Sequence, residues 1–188
     1  MICMRCSWAE SSDEMRAYHD QEWGVPVRDD QRLFEFLVLE GAQAGLSWAT
    51  ILGRREGYRA AFHDFSIDAV AAMTDDELEA LRSDQRVVRN RLKIYGARKN
   101  ALAAQAAIRT HGSLVKYLWS FVSDESSHER QSIEAVPATT EISDAMSKAL
   151  KKDGFTFVGS TICYAFMQAT GMVNDHVTTC FRYKEIQQ

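Results

Sequence analysis

Two prolines, Pro26 and Pro137, interrupt a chain of 188 residues, and ten glycines are spread along it without a repeat. No segment is low in complexity. Long apolar runs are missing as well. The longest unbroken one, Ile162 to Met167, is far short of the ~18–20 residues a membrane helix requires. Met1-Ile2-Cys3-Met4-Arg5-Cys6 lacks the apolar core of a signal peptide, so a cytoplasmic, reduced location with no membrane partner is expected. In that setting Cys3, Cys6, Cys163 and Cys180 read as thiols or metal ligands rather than disulfides. An excess of basic charge is also lacking. The net charge is -4, and such a balance on its own speaks against a nucleic-acid partner.

Apolar residues are present in helical order. Leu33, Phe34, Leu37 and Val38 share one helical face. Ser47 reads as the cap of a helix carrying Trp48, Ile51 and Leu52. Thr74-Asp75-Asp76-Glu77 reads as a capping box before Leu78 and Leu81. Asn90 to Ile108, rich in Ala, Leu, Lys and Arg, predicts a long helix. Leu114, Leu118, Phe121 and Val122 mark another. Ser143–Lys152 and Ser160–Thr170 predict two more, each followed by a glycine. Phe155 to Val158 suits a short strand, and Ser123 to Thr140, polar and acidic, suits a flexible connection. The expected fold class is mainly α.

Three groups of residues carry chemistry. The chain ends each hold a Cys/His pair, Cys6 with His19 and His176 with Cys180. Two thiolates and two imidazoles suit a closed, four-coordinate zinc site with a structural role. A helical His-x3-Cys segment would put both its ligands on one face. Spacing alone does not bring His19 to His176. Four unrelated residues remain the plainer reading, and Cys3 is an alternative to Cys6. Second, residues 82–99 hold seven basic residues against Asp84. That window carries +6 and leaves -10 for the rest. It spans the end of one predicted helix and the start of the next, where backbone amides and arginines can grip a phosphate; a solvated helix face is the alternative. Third, Trp8, Tyr18, Trp23 and Trp48 gather in the first 48 residues, suited to stacking on a flat ring or to filling a core. Glu40, placed between Phe36-Leu37-Val38-Leu39 and Gly41 to Leu46, is a carboxylate beside apolar surface that needs a partner or a task.

Several segments in order resemble the 3-methyladenine DNA glycosylase I family: Cys6-Ser7-Trp8; Tyr18 to Pro26; Leu39 to Trp48; Arg89-Asn90-Arg91 with Lys93-Ile94; Leu118 to Phe121; and Phe157-Val158-Gly159 to His176. The resemblance implies a helix-hairpin-helix glycosylase fold. Residues 1–188 would form one unit of two packed lobes, with the hairpin at about 75–99. It implies a structural zinc held by Cys6, His19, His176 and Cys180. It implies a base pocket lined by Tyr18 and Trp48, with Trp8 and Trp23 beside them and Glu40 as the functional carboxylate. Arg86, Arg89, Arg91 and Lys93 would meet DNA, with Leu46 as a wedge. The implied reaction is hydrolysis of the N-glycosidic bond of N3-methyladenine in alkylated duplex DNA by a monomer, leaving free 3-methyladenine and an abasic site. A non-catalytic damage-binding module and a zinc hydrolase or deaminase are the competing classes. Two residues depart from the family pattern. Arg86 stands where the hairpin usually has glycine, which would strain the turn if it needs a positive φ. Met15 replaces a common tyrosine at the pocket rim.

Overall fold

The computed structural model of the protein describes residues 4–122 and 129–186. Within them the chain is helical, and no strand is formed; a bridge joins Arg130 to Val177. The helices are α1 (Asp13–Gln21), α2 (Asp30–Gln43), α3 (Trp48–Leu52), α4 (Arg55–Ala61), α5 (Ile67–Ala72), α6 (Asp75–Leu81), α7 (Arg91–His111), α8 (Leu114–Trp119), α9 (Glu141–Lys152), α10 (Ser160–Ala169) and α11 (Phe181–Ile186). Short 3-10 turns occupy Ser7–Ser11, His63–Phe65 and Ile133–Ala135.

Helix starts follow the capping chemistry of the sequence. Ser12, Asp29, Ser47, Ser66, Asn90 and Ser113 each accept a hydrogen bond from an amide three residues on. Thr74 and Glu77 form the reciprocal box that opens α6. One start differs from expectation. Thr140 caps α9, and Ser143 is the third helical residue, returning its hydroxyl to the Thr140 amide. A serine can complete a box as well as open a helix, and the spacing does not separate the two.

Helix α2 lies in the middle and is buried from Leu33 through Ala42. It packs on α3, α7, α8 and α10, while α7 also supports α5 and α6. One connected apolar core runs from Cys6 to Cys180 through both helices. The expected strand at Phe155–Val158 is an irregular wedge instead. Asn100 donates to the Thr156 carbonyl at 3.0 Å and accepts from its amide at 2.7 Å, so no ladder is needed. Phe157 has φ 55 and sits between α2 and α7, where only Gly41 and Gly96 leave room for it. An added Cβ at either glycine would lie 3.0–3.1 Å from Phe157.

Residues 123–128 of the expected flexible connection, and Cys3, lie outside the described residues. The rest of that connection is anchored. Arg130 donates to Asp175 at 3.0 Å, and the Thr178 amide donates to the Arg130 carbonyl at 2.8 Å. A polar composition is compatible with an anchored strap when the anchor is a distant buried carboxylate. No described helix is long and apolar enough to cross a membrane.

Candidate active site and metal centre

The C-terminal half of α2, the start of α3 and one face of α10 surround a pocket of about 430 Å³. Its walls are Trp8, Tyr18, Trp23 and Trp48, with Met15, Ile133, Val136 and Ala165 as apolar lining. Glu40, Gln43 and Gln168 are its polar members. The fold thus brings together all four aromatics and the carboxylate singled out in the sequence. Tyr18 and Trp48 stand 5.4 Å apart at 44°, and Trp8 meets Trp23 edge-on at 5.0 Å. Met15, the rim departure, is a buried part of the wall.

Glu40 is 4 % exposed. Among the described residues its carboxylate has no hydrogen bond, and burial alone pushes its pKa up to about 8. Burial likewise raises the Tyr18 hydroxyl, with the Glu40 charge adding to the effect. The Trp48 indole N–H is buried and has no partner among the described residues. A desolvated acid on the wall of an aromatic concavity is the mark of a candidate ligand site.

Close enough to Tyr18 to act on its hydroxyl lies a cluster of charges that sequence reasoning missed. Buried Glu35 accepts from Arg32 at 2.6 Å, Arg55 at 2.8 Å and Arg59 at 2.9 Å, and Glu22 accepts from Arg55 and Arg32. The three guanidiniums hold the Glu35 carboxyl ionised against its burial. Arg32 and Glu35 are an i,i+3 pair on α2, but the links from Glu22 to Arg32 and from Arg55 and Arg59 to the acids span 10–33 residues, beyond any local spacing rule. Gln43 and Gln168 lie inside the matched segments yet carry no distinctive chemistry as types. Ile133 and Val136 left no signal at all.

Behind the Trp8–Trp23 wall, Cys6, His19, His176 and Cys180 converge, with ligand atoms all within 4.8 Å. Each is at most 2 % exposed. Cys180 Sγ lies 3.4 Å from His19 Nε2 and 3.5 Å from His176 Nδ1, and Cys6 Sγ lies 3.6 Å from His176 Nδ1. A tetrahedral ion with Zn–S and Zn–N bonds of ordinary length has ligand–ligand edges of roughly 3.3–3.8 Å. The donor set therefore fits a four-coordinate metal. Both imidazoles are held by their other nitrogen: His19 Nδ1 by Asp20 at 2.8 Å, and His176 Nε2 by the Trp23 carbonyl at 3.1 Å. Such outer contacts fix which nitrogen faces a metal. Arg5 grips Asp20 in turn. The His-x3-Cys segment is not helical: residues 176–180 form a turn closed by the Cys180 amide on the Val177 carbonyl, which brings the two ligands together without a helix.

The basic window is less uniform than its composition. Arg82 and Arg91 pair with Glu79, Arg98 with Asp75, and Arg86 with Asp84. Lys93 donates to the Ala42 and Ala44 carbonyls at 2.8 and 2.7 Å, tying the start of α7 to the end of α2, and burial lowers its pKa. Arg89 is exposed and has no ion pair among the described residues. It shares a groove with Asn90, Arg54 and Leu46, the last 38 % exposed. The expected strain at Arg86 is overturned. No residue from 82 to 90 has a positive φ, so the turn does not require glycine. Gly57 makes the room instead: an added Cβ there would meet Arg86 Cβ at 2.6 Å.

The family model described as methyladenine glycosylase matches residues 8–183. The chain is 48% identical over 180 residues to DNA-3-methyladenine glycosylase 1 of Escherichia coli, covering 95% of this chain and 96% of that one. It is 44% identical over 177 residues to DNA-3-methyladenine glycosylase of Haemophilus influenzae, covering 94% and 96%. A crystal structure of 3-methyladenine DNA glycosylase I superposes with a TM-score of 0.91 at 47% identity, covering 95% of this chain and 98% of the other. That from Staphylococcus aureus, described as showing 3-methyladenine recognition, superposes with 0.91 at 31% identity, covering 94% and 95%. The family model, the sequence similarity over nearly the full length and the superposed fold agree, and the chain belongs to the methyladenine glycosylase family.

Proposed function

We propose that the protein is a DNA repair glycosylase that hydrolyses the N-glycosidic bond of N3-methyladenine in alkylated duplex DNA, releasing free 3-methyladenine and leaving an abasic site. The observation that carries this is Glu40, a desolvated carboxyl facing a ring-sized aromatic pocket. The relatives' names and the 3-methyladenine bound in a related structure support it.

A stacked base must be turned out of the duplex to enter such a pocket, at a cost of a few kcal/mol. Methylation at N3 makes it cationic and weakens its bond to the sugar. Tyr18 and Trp48 favour a cationic ring through their faces. Glu40 is largely protonated in the free pocket at neutral pH, and a cation beside it favours its ionised form. Base entry is thus expected to release a proton. Departure turns the base neutral, so contacts that favour only the cation slow the step. The ionised Glu40 serves recognition first, and its charge then faces the positive charge that develops on the sugar.

The groove of Leu46, Arg54, Arg89 and Asn90 supplies the duplex contact, with Arg89 and the α7 amide end toward phosphate and Leu46 as the wedge in the vacated space. Arg86 and Arg91 join them once released from Asp84 and Glu79. In this reading α6, the turn and α7 form a helix-hairpin-helix, and the molecule acts as a monomeric cytoplasmic unit of two lobes. Cys6, His19, His176 and Cys180 would hold zinc, which supplies cross-linking of the two chain ends and no chemistry at the pocket.

Incubation with methylated duplex DNA, followed by chromatography of released bases and an abasic-site assay, tests the activity. Release of 3-methyladenine with matching abasic sites is expected. Tight binding without release would leave a damage-binding module.

A further inference from the structure

The polar lining of the pocket has a direction. Gln168 sits one turn from Ala165 on the α10 face that forms the wall. Its Nε2 donates to Asp175 Oδ2 at 3.0 Å. Asp175 is 1 % exposed and also receives the Tyr164 hydroxyl and, at 3.0 Å, Arg130 Nε. Three donors converge on this carboxylate, and a carboxylate so paired only accepts. An amide can be turned either way, and its partners decide which. Here Asp175 takes the amino end, so the Gln168 carbonyl oxygen is left for the pocket. Gln43 is turned in the same sense. Its Nε2 donates to the Leu46 carbonyl at 2.6 Å, which leaves its oxygen unpaired among the described residues. With Glu40, the pocket is thus lined by two glutamines whose amino ends are taken elsewhere and whose amide oxygens have no partner among the described residues.

We propose that Gln168, held by Asp175, is a specificity-determining residue that accepts a hydrogen from the exocyclic amine of an adenine-type base and disfavours 6-oxo purines. The proposal rests on the glycosylase reading and deepens it. An amine at C6 offers two hydrogens, enough for Glu40 and one amide oxygen. A 6-oxo purine puts a carbonyl oxygen at that position, where it faces another acceptor. Gln168 cannot turn its NH2 inward to rescue the contact without leaving Asp175 one donor short. Asp175 is thereby a positioning residue, and its ion pair with Arg130 couples the amide's orientation to the strap that carries Ile133 and Val136 over the pocket.

The test is the affinity of the full-length, metal-replete protein for free 3-methyladenine and free 3-methylguanine, read by quenching of the pocket tryptophans. Wild type is compared with Gln168→Leu. Gln168→Met is the second variant, because its unbranched chain fills the same path if leucine disturbs α10. A neutral hydrogen bond is worth about 0.5–1.5 kcal/mol, so 3-methyladenine affinity should fall about 3–10-fold. The affinity for 3-methylguanine should stay within about twofold or improve, so the preference narrows by about the same factor. Equal losses for both bases would make Gln168 merely structural and overturn the proposal, as would no change in either. A wild type that binds neither base would instead sink the glycosylase reading on which the proposal stands.

Discussion

Glu40 shows how one residue's meaning changes with its surroundings. In the sequence it ends an apolar run; in the fold it is a carboxyl that burial holds at about 8 against an ordinary 4.5. Because the folded value is the higher one, the folded state binds the proton more tightly than the unfolded chain. That stability is fully present below about pH 4.5 and is lost as pH rises through about 8. Glu40→Gln removes the ionisation. Its thermal midpoint should match wild type at pH 5 and exceed it at pH 9, while release of 3-methyladenine falls roughly 10–100-fold, as for a lost charged hydrogen bond. Parallel melting curves at the two pH values would show that Glu40 ionises freely and is not desolvated. The sequence already marked Glu40, since a carboxylate beside Phe36 to Leu39 is conspicuous. Gln168 was not marked, because a glutamine acquires direction only from Asp175, whose place in the wall is a tertiary fact.

Helix ends were the most legible elements, because a cap is a contact over three residues. Ser47, Thr74 and Asn90 could be read directly for that reason. What lies between helices was less legible. The basic window separates into residues spent on neighbours and residues that face solvent, and only the fold sorts them. Lys93 is spent on the carbonyls that end α2, whereas Arg89 faces the groove beside Leu46. Arg89→Ala should therefore weaken binding to any duplex and lower the slope of log K against log salt by about 1. Lys93→Met should leave that slope unchanged and instead cost roughly 2 kcal/mol of stability through two lost charge-assisted hydrogen bonds. Salt titrations and thermal melts of the two variants separate these outcomes; a slope change confined to Lys93→Met would reverse the assignments. The stretch from Ser123 to Thr140, expected to be a flexible connection, has contacts in its described part that composition does not reveal. Its composition is polar, but its anchors, Asp175 and Thr178, are more than 40 residues away.

Across the whole molecule, the Cys/His cluster joins residue 6 to residue 180 and shares a wall with the pocket. Trp23 meets His176 edge-on at 4.5 Å, and Trp8 meets His19 at 5.2 Å. Loss of a bound metal should thus be felt in the pocket. Cys180→Ser is expected to lower zinc content by metal analysis, reduce the melting temperature and weaken 3-methyladenine binding together. Full zinc occupancy in that variant would exclude Cys180 as a ligand.

The sequence by itself determined a mainly helical chain, the helix starts at Ser47, Thr74 and Asn90, the identity of the four Cys/His residues, the aromatic set and Glu40. Each follows from residue type, short-range spacing or the matched family segments. Tertiary structure decided whether those residues meet. It closed the 156-residue gap between His19 and His176, buried Glu40 without a partner, and spread charge so that a net of -4 coexists with a groove headed by Arg89. Prolines and cysteines are few, so covalent and local restraints do little to set these distances. They depend on how the buried α2 seats against α7 and α10, which many weak, long-range contacts decide together.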